Sequence, residues 1–172
     1  MTTVLVTYAT KAGSTIGVAE QIARALRSDG FTVTLHKIEK DLDPTPYDAV
    51  VIGSAIRVGS WLPPAVNFVE QHAAVLANRP VAFFSVCMTL HEDTPEHRDE
   101  VYGYTAPVRQ ILTPQAEGFF AGNMDYGLLS FPVRMLIKRI GVPEGDYRDW
   151  NTIDMWAHAL KPIFTQQPEA LR

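Results

Sequence analysis

The chain has 172 residues, enough for one domain whose core can close without disulfide or metal staples. Apolar residues make up 47% and charged residues 20%, an ordinary globular balance, and the net charge of −4 argues against a nucleic-acid-binding surface. The single cysteine, Cys87, excludes an internal disulfide and a cysteine-rich metal site, and no apolar run reaches the roughly 18 to 20 residues that span a bilayer.

The amino-terminal residues run straight into strand-like sequence, with no charged and then hydrophobic leader. A soluble cytoplasmic domain spanning 1–172 is therefore expected. Residues 3–8 (TVLVTY) are β-branched and apolar and predict a strand. Residues 16–27 place Ile16, Ala19, Ile22, Ala23 and Leu26 at helical spacing, with Gly30 as a stop. FTVTLHKI (31–38) alternates as a second strand. DAVVIGSAI, from Asp48, is an apolar run suited to a third strand buried on both faces.

Trp61 begins WLPPAVNFVEQHAAVLA, whose prolines suit a first helical turn and whose apolar stripe is Val66, Val69, Ala73 and Leu76. PVAFFSVCM (80–88) predicts a fourth strand, residues 95–112 a helix, and EGFFAG (117–122) a fifth strand. A last helix covers 152–164, with Pro162 ending or kinking it. Alternating strands and helices imply right-handed crossovers and a doubly wound α/β domain with a parallel sheet. Residues 123–151 exceed what this pattern needs, and LLSFPVRMLIKRIG is too apolar for a disordered linker, so they read as an insertion.

In such a sheet, ligands bind beyond the carboxyl ends of the strands. The candidates are therefore Thr10 to Thr15, Ser54 to Trp61, and Ser85 to Leu90. The first loop, in TVLVTYATKAGST, is neither a Walker A loop nor a dinucleotide fingerprint, since Gly13 and Gly17 do not make G-x-G-x-x-G. It carries the hydroxyls of Thr10, Ser14 and Thr15 at a helix N-terminus, which suits a phosphate. The alternative is that Ser14 only caps the helix. Gly53, Ser54, Ala55, Gly59 and Ser60 in the second loop are small enough to let backbone approach a flat ligand, and Ile56, Val58 and Trp61 offer apolar faces.

YATKAGST resembles the phosphate loop of flavodoxins, with Gly13 and Thr15 in place, Ser14 where Asn is usual, and Lys11 as an addition. VVIGSAIRVGSW, then a helix, FFSV, the late FAG strand and the basic-apolar insertion resemble the menaquinone-dependent protoporphyrinogen dehydrogenase branch of the flavodoxin-like superfamily. The similarity runs along nearly the whole chain. It implies a five-stranded sheet of order 2-1-3-4-5 and FMN as cofactor. Thr10, Lys11, Ala12, Gly13, Ser14 and Thr15 would then hold the phosphate. Ser54, Ala55, Ile56, Arg57, Val58 and Gly59 would flank one face or edge of the ring system, and Ser85, Val86, Cys87, Met88 and Thr89 the other edge. The usual stacking Tyr is absent, and Met88 or Leu90 would stack less well.

The implied activity is oxidation of protoporphyrinogen or a similar reduced substrate, with a quinone or other acceptor. The alternative is an electron carrier serving protein partners, whose mark would be an acidic docking face. Arg57, aimed at the flavin, would favour its reduced anionic form and two-electron chemistry; aimed at solvent or phosphate, it would not. Residues 128–140 mix Leu128, Leu129, Phe131, Val133, Met135, Leu136, Ile137 and Ile140 with Arg134, Lys138 and Arg139 and hold no acid. Such a segment packs on its own domain or a second subunit, or lies on the inner membrane face to meet a quinone, or shelters a porphyrin. His91 and His97, with Glu92, Asp93 and Glu96, read as a solvated acidic helix start, and Trp150 and Trp156 as packing residues. A signalling receiver domain is excluded, because Thr10 and Ser54 stand where acids would be needed.

Overall fold

The computed structural model describes residues 1–166; the last six residues of the expected domain lie outside them. The chain forms β1 (Thr3–Ala9), α1 (Ser14–Ser28), β2 (Thr32–Lys37), β3 (Ala49–Arg57), β4 (Ser60–Trp61), α2 (Pro63–Leu76) and β5 (Val81–Val86). Then come a 3₁₀ turn at Met88–His91, α3 (Pro95–Tyr104), α4 (Ala106–Ile111) and β6 (Ala116–Phe120). β7 (Asn123–Met124), a 3₁₀ turn at Tyr126–Leu128, α5 (Phe131–Ile140) and β8 (Gly145–Asp146) make up the insertion, and α6 (Trp150–Ala159) and α7 (Lys161–Thr165) follow.

The parallel strands run β2-β1-β3-β5-β6, the expected order once the short β4, antiparallel to β3, is counted. Alternate side chains of the central strands enter two cores. Val4, Val6, Val51 and Phe84 pack against Ile22 and Leu26 of α1 and Ile153 of α6. Leu5, Val50, Ile52 and Phe83 pack against Phe68, Val69 and Leu76 of α2 and Val108 of α4. Each such fully buried side chain contributes about 1.5 to 3 kcal/mol of transfer free energy.

The buried stripe of α2 is Ala65, Phe68, Val69 and Leu76, so Val66 and Ala73 lie at its margin, half-buried. The helix expected over 95–112 breaks at Thr105, because Pro107 lacks the N–H that would continue the ladder. The final helix breaks at Leu160 for the same reason at Pro162. Gly53 has its cause inside the sheet: a Cβ there would lie 2.0 Å from Phe84 Cζ, so the ring occupies the space a side chain would need.

Parallel register sets the loops at one level. Ala9 pairs with Ser54, Ser54 with Ser85, and Ser85 with Phe119. The segments after β1, β3, β5 and β6 therefore leave the sheet along one edge.

Helices α1 and α6 are joined by a polar bridge. His158 Nδ1 lies 2.8 Å from Asp29 Oδ2, and His158 Nε2 lies 3.4 Å from Asp154 Oδ2. The hydrogen bond to Asp29, then the charges of Asp29 and Asp154, raise the imidazole above its ordinary value. A raised folded-state value means the bridge stabilises fully below the unfolded pKa of about 6.5 and is lost as pH rises through the folded value. The melting temperature of the native chain should therefore fall relative to His158→Gln as pH is raised from about 6 to 8. Parallel melting curves that stay equally spaced would contradict this.

Candidate functional site

The loop after β1 folds on itself before α1 begins. Gly13 N donates to Thr10 Oγ1 at 3.0 Å, and Gly13 adopts a left-handed conformation, φ 89°. A Cβ at Gly13 would meet nothing within 4 Å, so its need is conformational rather than steric. The N-cap of α1 is Gly13 and no side chain caps the helix, which overturns the reading of Ser14 as cap. Ile16 N donates to Gly13 O at 3.1 Å, and no side chain takes the other first-turn N–H groups, which face an anion's place with the helix dipole behind them.

Thr15 supplies the sharpest observation. Its residue is 0% exposed and its Oγ1 has no hydrogen-bond partner among the described residues. A buried, unpaired hydroxyl costs about 1 to 3 kcal/mol. A phosphate oxygen at the helix terminus is the kind of acceptor that would relieve it. Lys11 and Ala12 are exposed, and Thr10 and Ser14 half-buried, so all six residues of the expected cradle come together.

The second loop is a two-residue hairpin in which Arg57 pairs with Ser60 across Val58 and Gly59. Both central residues have positive φ, 50° and 70°, as a type I′ turn requires. A β-branched residue is strained there by about 1 to 2 kcal/mol, and Val58 is fully exposed at the tip. The ring of Tyr104 packs beneath the turn, 3.3 Å from where a Gly59 Cβ would stand. Ala55 and Ile56 are half-buried and Arg57 is exposed, in no ion pair among the described residues.

Ser54 and Ser85 are buried and their hydroxyl oxygens bond within the fold. Ser54 Oγ accepts from Leu62 N at 3.0 Å and donates to Ala55 O at 2.8 Å. Ser85 Oγ accepts from Trp61 Nε1 at 2.7 Å. These residues brace the hairpin and the start of α2 from below, so at both positions the side chain is structural. Trp61 likewise turns inward and offers no face to a ligand.

In the third loop Val86 and Cys87 are buried, whereas Met88 and Thr89 are half-buried at the rim. Leu90 is also buried, so of the two expected stacking candidates only Met88 reaches the surface. Burial pushes the Cys87 thiol up, so it is a protonated packing group at neutral pH. Beside it Tyr104 donates to Glu100, a contact that raises the phenol to about 12.

Three residues near this edge lie outside the expected site: Gly122, which ends the FAG stretch, Tyr147 and Arg148. Gly122, after β6, is packed so that a Cβ would lie 3.2 Å from Val86 Cγ1, 3.3 Å from Ser14 Oγ and 3.4 Å from Met88 Sδ. Tyr147 meets the His91 ring edge-on at 5.8 Å. Arg148 reaches the carbonyl of Ser14. Only a general excess of aromatic and basic residues near the insertion hinted at the last two. Trp150, expected to pack internally, is 41% exposed and lies beside Arg148. A cavity of about 460 Å³ opens at the opposite edge of the sheet, where Arg79 is spent on the carbonyls of Pro44, Thr45 and Tyr47.

Thr15→Val removes a hydroxyl that bonds to nothing and keeps the shape. The ligand-free protein should gain about 1 kcal/mol in denaturant unfolding. A loss of stability instead would mean that the hydroxyl has a partner within the folded chain.

A family model described as "Flavodoxin domain" matches residues 5–151. A protoporphyrinogen IX dehydrogenase [quinone] of Leishmania major is 30% identical over 167 residues, covering 89% of this chain and 72% of that protein. The enzyme of the same name from Escherichia coli (strain K12) is 26% identical over 178 residues, covering 95% and 97%. Among solved structures, a Fusobacterium nucleatum flavodoxin bound to flavin mononucleotide superposes with a TM-score of 0.60 at 12% identity, over 96% of this chain and 100% of that one. A short-chain flavodoxin associated with a bacterial microcompartment gives the same TM-score at 16% identity, over 96% and 100%. The parallel sheet, the capless helix after β1 and these matches agree: the chain belongs to the flavodoxin-domain family, alongside relatives named as protoporphyrinogen dehydrogenases.

Proposed function

We propose that this protein binds FMN and oxidises protoporphyrinogen or a similar reduced substrate, passing the electrons to a quinone. The observation that carries the cofactor is the buried, unpartnered hydroxyl of Thr15 in an uncapped helix terminus. The names of the relatives support the substrate and the acceptor.

Thr10 to Thr15 would hold the phosphate. The backbone from Ser54 to Gly59, with Ile56, would flank the ring system on one side, and the backbone from Ser85 to Cys87, with Met88 and Thr89, on the other. Bound flavin supplies an acceptor for two electrons from a reduced carbon centre. The chain's part is to hold it, to cover one edge, and to set the local charge. Arg57 has no anionic partner among the described residues, so its charge is available to a ligand beside the hairpin.

The insertion offers a way to reach a membrane-borne acceptor. Leu128, Phe131, Met135, Leu136 and Ile140 are exposed, next to the exposed Lys138 and Arg139, while Arg134 is half-buried and donates to Leu129 O. No residue of α5 is buried, so packing on its own domain is slight. Apolar and cationic side chains together suit an anionic bilayer surface. No helix among the described residues is long and apolar enough to cross a membrane.

A second reading, an electron carrier, draws on Glu92, Asp93, Glu96, Asp99 and Glu100. All are exposed and follow the third loop directly, forming an acidic face beside the site.

The purified protein with FMN added should show the shifted visible bands of bound flavin. It should then oxidise protoporphyrinogen with a quinone carried in anionic vesicles, and it should sediment with them. Leu136→Asp with Ile140→Asp should abolish sedimentation but not flavin uptake. Flavin uptake without turnover would favour the carrier, and a concentration-dependent dimer lost in the same double variant would assign α5 to a second copy.

Arg57→Ala should lower the two-electron reduction potential of the bound flavin by about 30 mV, equivalent to roughly 1.4 kcal/mol. An unchanged potential would place Arg57 away from the ring.

A further inference from the structure

The insertion touches the phosphate cradle through one side chain. Its base is closed by β7 and β8, and Tyr147 N donates to Gly122 O at 3.1 Å. Arg148 follows directly. Asp146 grips it in a fork, accepting from Nε at 2.8 Å and Nη2 at 2.7 Å. Its guanidinium lies 4.6 Å from the Trp150 ring centroid, and Nη1 donates to Ser14 O at 3.4 Å. Gly17 makes this possible. A Cβ there would stand 2.7 Å from Nη1 and 3.3 Å from Trp150 Cη2, so its missing side chain admits the guanidinium against α1.

Charge does not cancel evenly in this pair. The Arg148 side chain is 15% exposed and that of Asp146 43%. Water screens the carboxylate more than the guanidinium, which leaves net positive potential at the first turn of α1. Ser14, whose carbonyl Arg148 holds, adjoins Thr15, whose buried hydroxyl lacks a partner.

We propose that Arg148 is a positioning residue for the phosphate cradle. It pins the first turn of α1 through Ser14 and sets a cation behind it, so that the site takes the phosphorylated flavin in preference to riboflavin. This rests on the FMN reading above. It assigns a role to Gly17 that no phosphate-loop motif does, and it makes the insertion part of the cofactor site.

The test is fluorescence titration of FMN and of riboflavin against the native protein, Arg148→Ala, Arg148→Lys and Gly17→Ala, with melting curves alongside. Arg148→Ala should weaken FMN roughly five-fold and leave riboflavin unchanged, and Arg148→Lys should recover part of the loss. Gly17→Ala should displace the guanidinium and show the same selective loss, while gaining helix propensity. It keeps the test open if Arg148→Ala folds poorly. Equal weakening of both flavins would make Arg148 a plain structural brace and overturn the proposal, as would an unchanged FMN-to-riboflavin ratio. A native protein that binds neither flavin would remove the FMN reading and this inference together. A native protein that prefers FMN, with variants that prefer it equally, would remove the inference alone.

Discussion

Parallel register is the constraint on which the rest of this structure depends. Ala9, Ser54, Ser85 and Phe119 stand in one row across four strands, so four loops leave the sheet at the same height. The register is held by alternation: every second residue of β1, β3 and β5 enters a different core, and a slip of one residue would turn each set to the wrong face. Gly53 adds a local lock, since the Phe84 ring fills the volume of the absent side chain.

Upon that frame the chain leaves some groups unsatisfied. The start of α1 has no side-chain cap, and Thr15 buries a hydroxyl without a partner. Val58 is held at positive φ on an exposed tip. Each costs on the order of 1 kcal/mol or more, and the buried cores on either face offset them. The uncapped helix start, the Thr15 hydroxyl and the Val58 tip gather at one edge of the sheet. By contrast Ser54 both donates and accepts, Ser85 accepts from Trp61, and the three stiffen the loop from beneath.

The insertion combines two surfaces with different physics. Its base is tied to the body by β7–β8, by the Tyr147–Gly122 bond and by Arg148, all near the cradle. Its helix α5 turns apolar and cationic side chains to solvent. Anchoring near the loop after β1 and display away from it are what the proposed role, bringing an acceptor to a bound flavin, would require.

The order of elements was legible in the sequence because it is written in local periodicity: runs of two in strands and of 3.6 in helices, punctuated by glycine and proline. The loop from Thr10 to Thr15, which the proposed function takes as a phosphate cradle, could be singled out for the same reason, since all its parts are neighbours along the chain. The helix breaks at Thr105 and Leu160 followed from Pro107 and Pro162, although only the second was anticipated. Which hydroxyls are free was not legible. Ser54 and Ser85 look as suitable as Ser14 and Thr15, and only long-range partners, Leu62 and Trp61, take them out of play. The approach of Arg148 to Ser14 spans 134 positions and has no local signal. By itself the sequence determined the order of the main strands and helices. Tertiary structure alone decided which polar groups are satisfied, because satisfaction depends on partners brought together by folding and not by sequence adjacency.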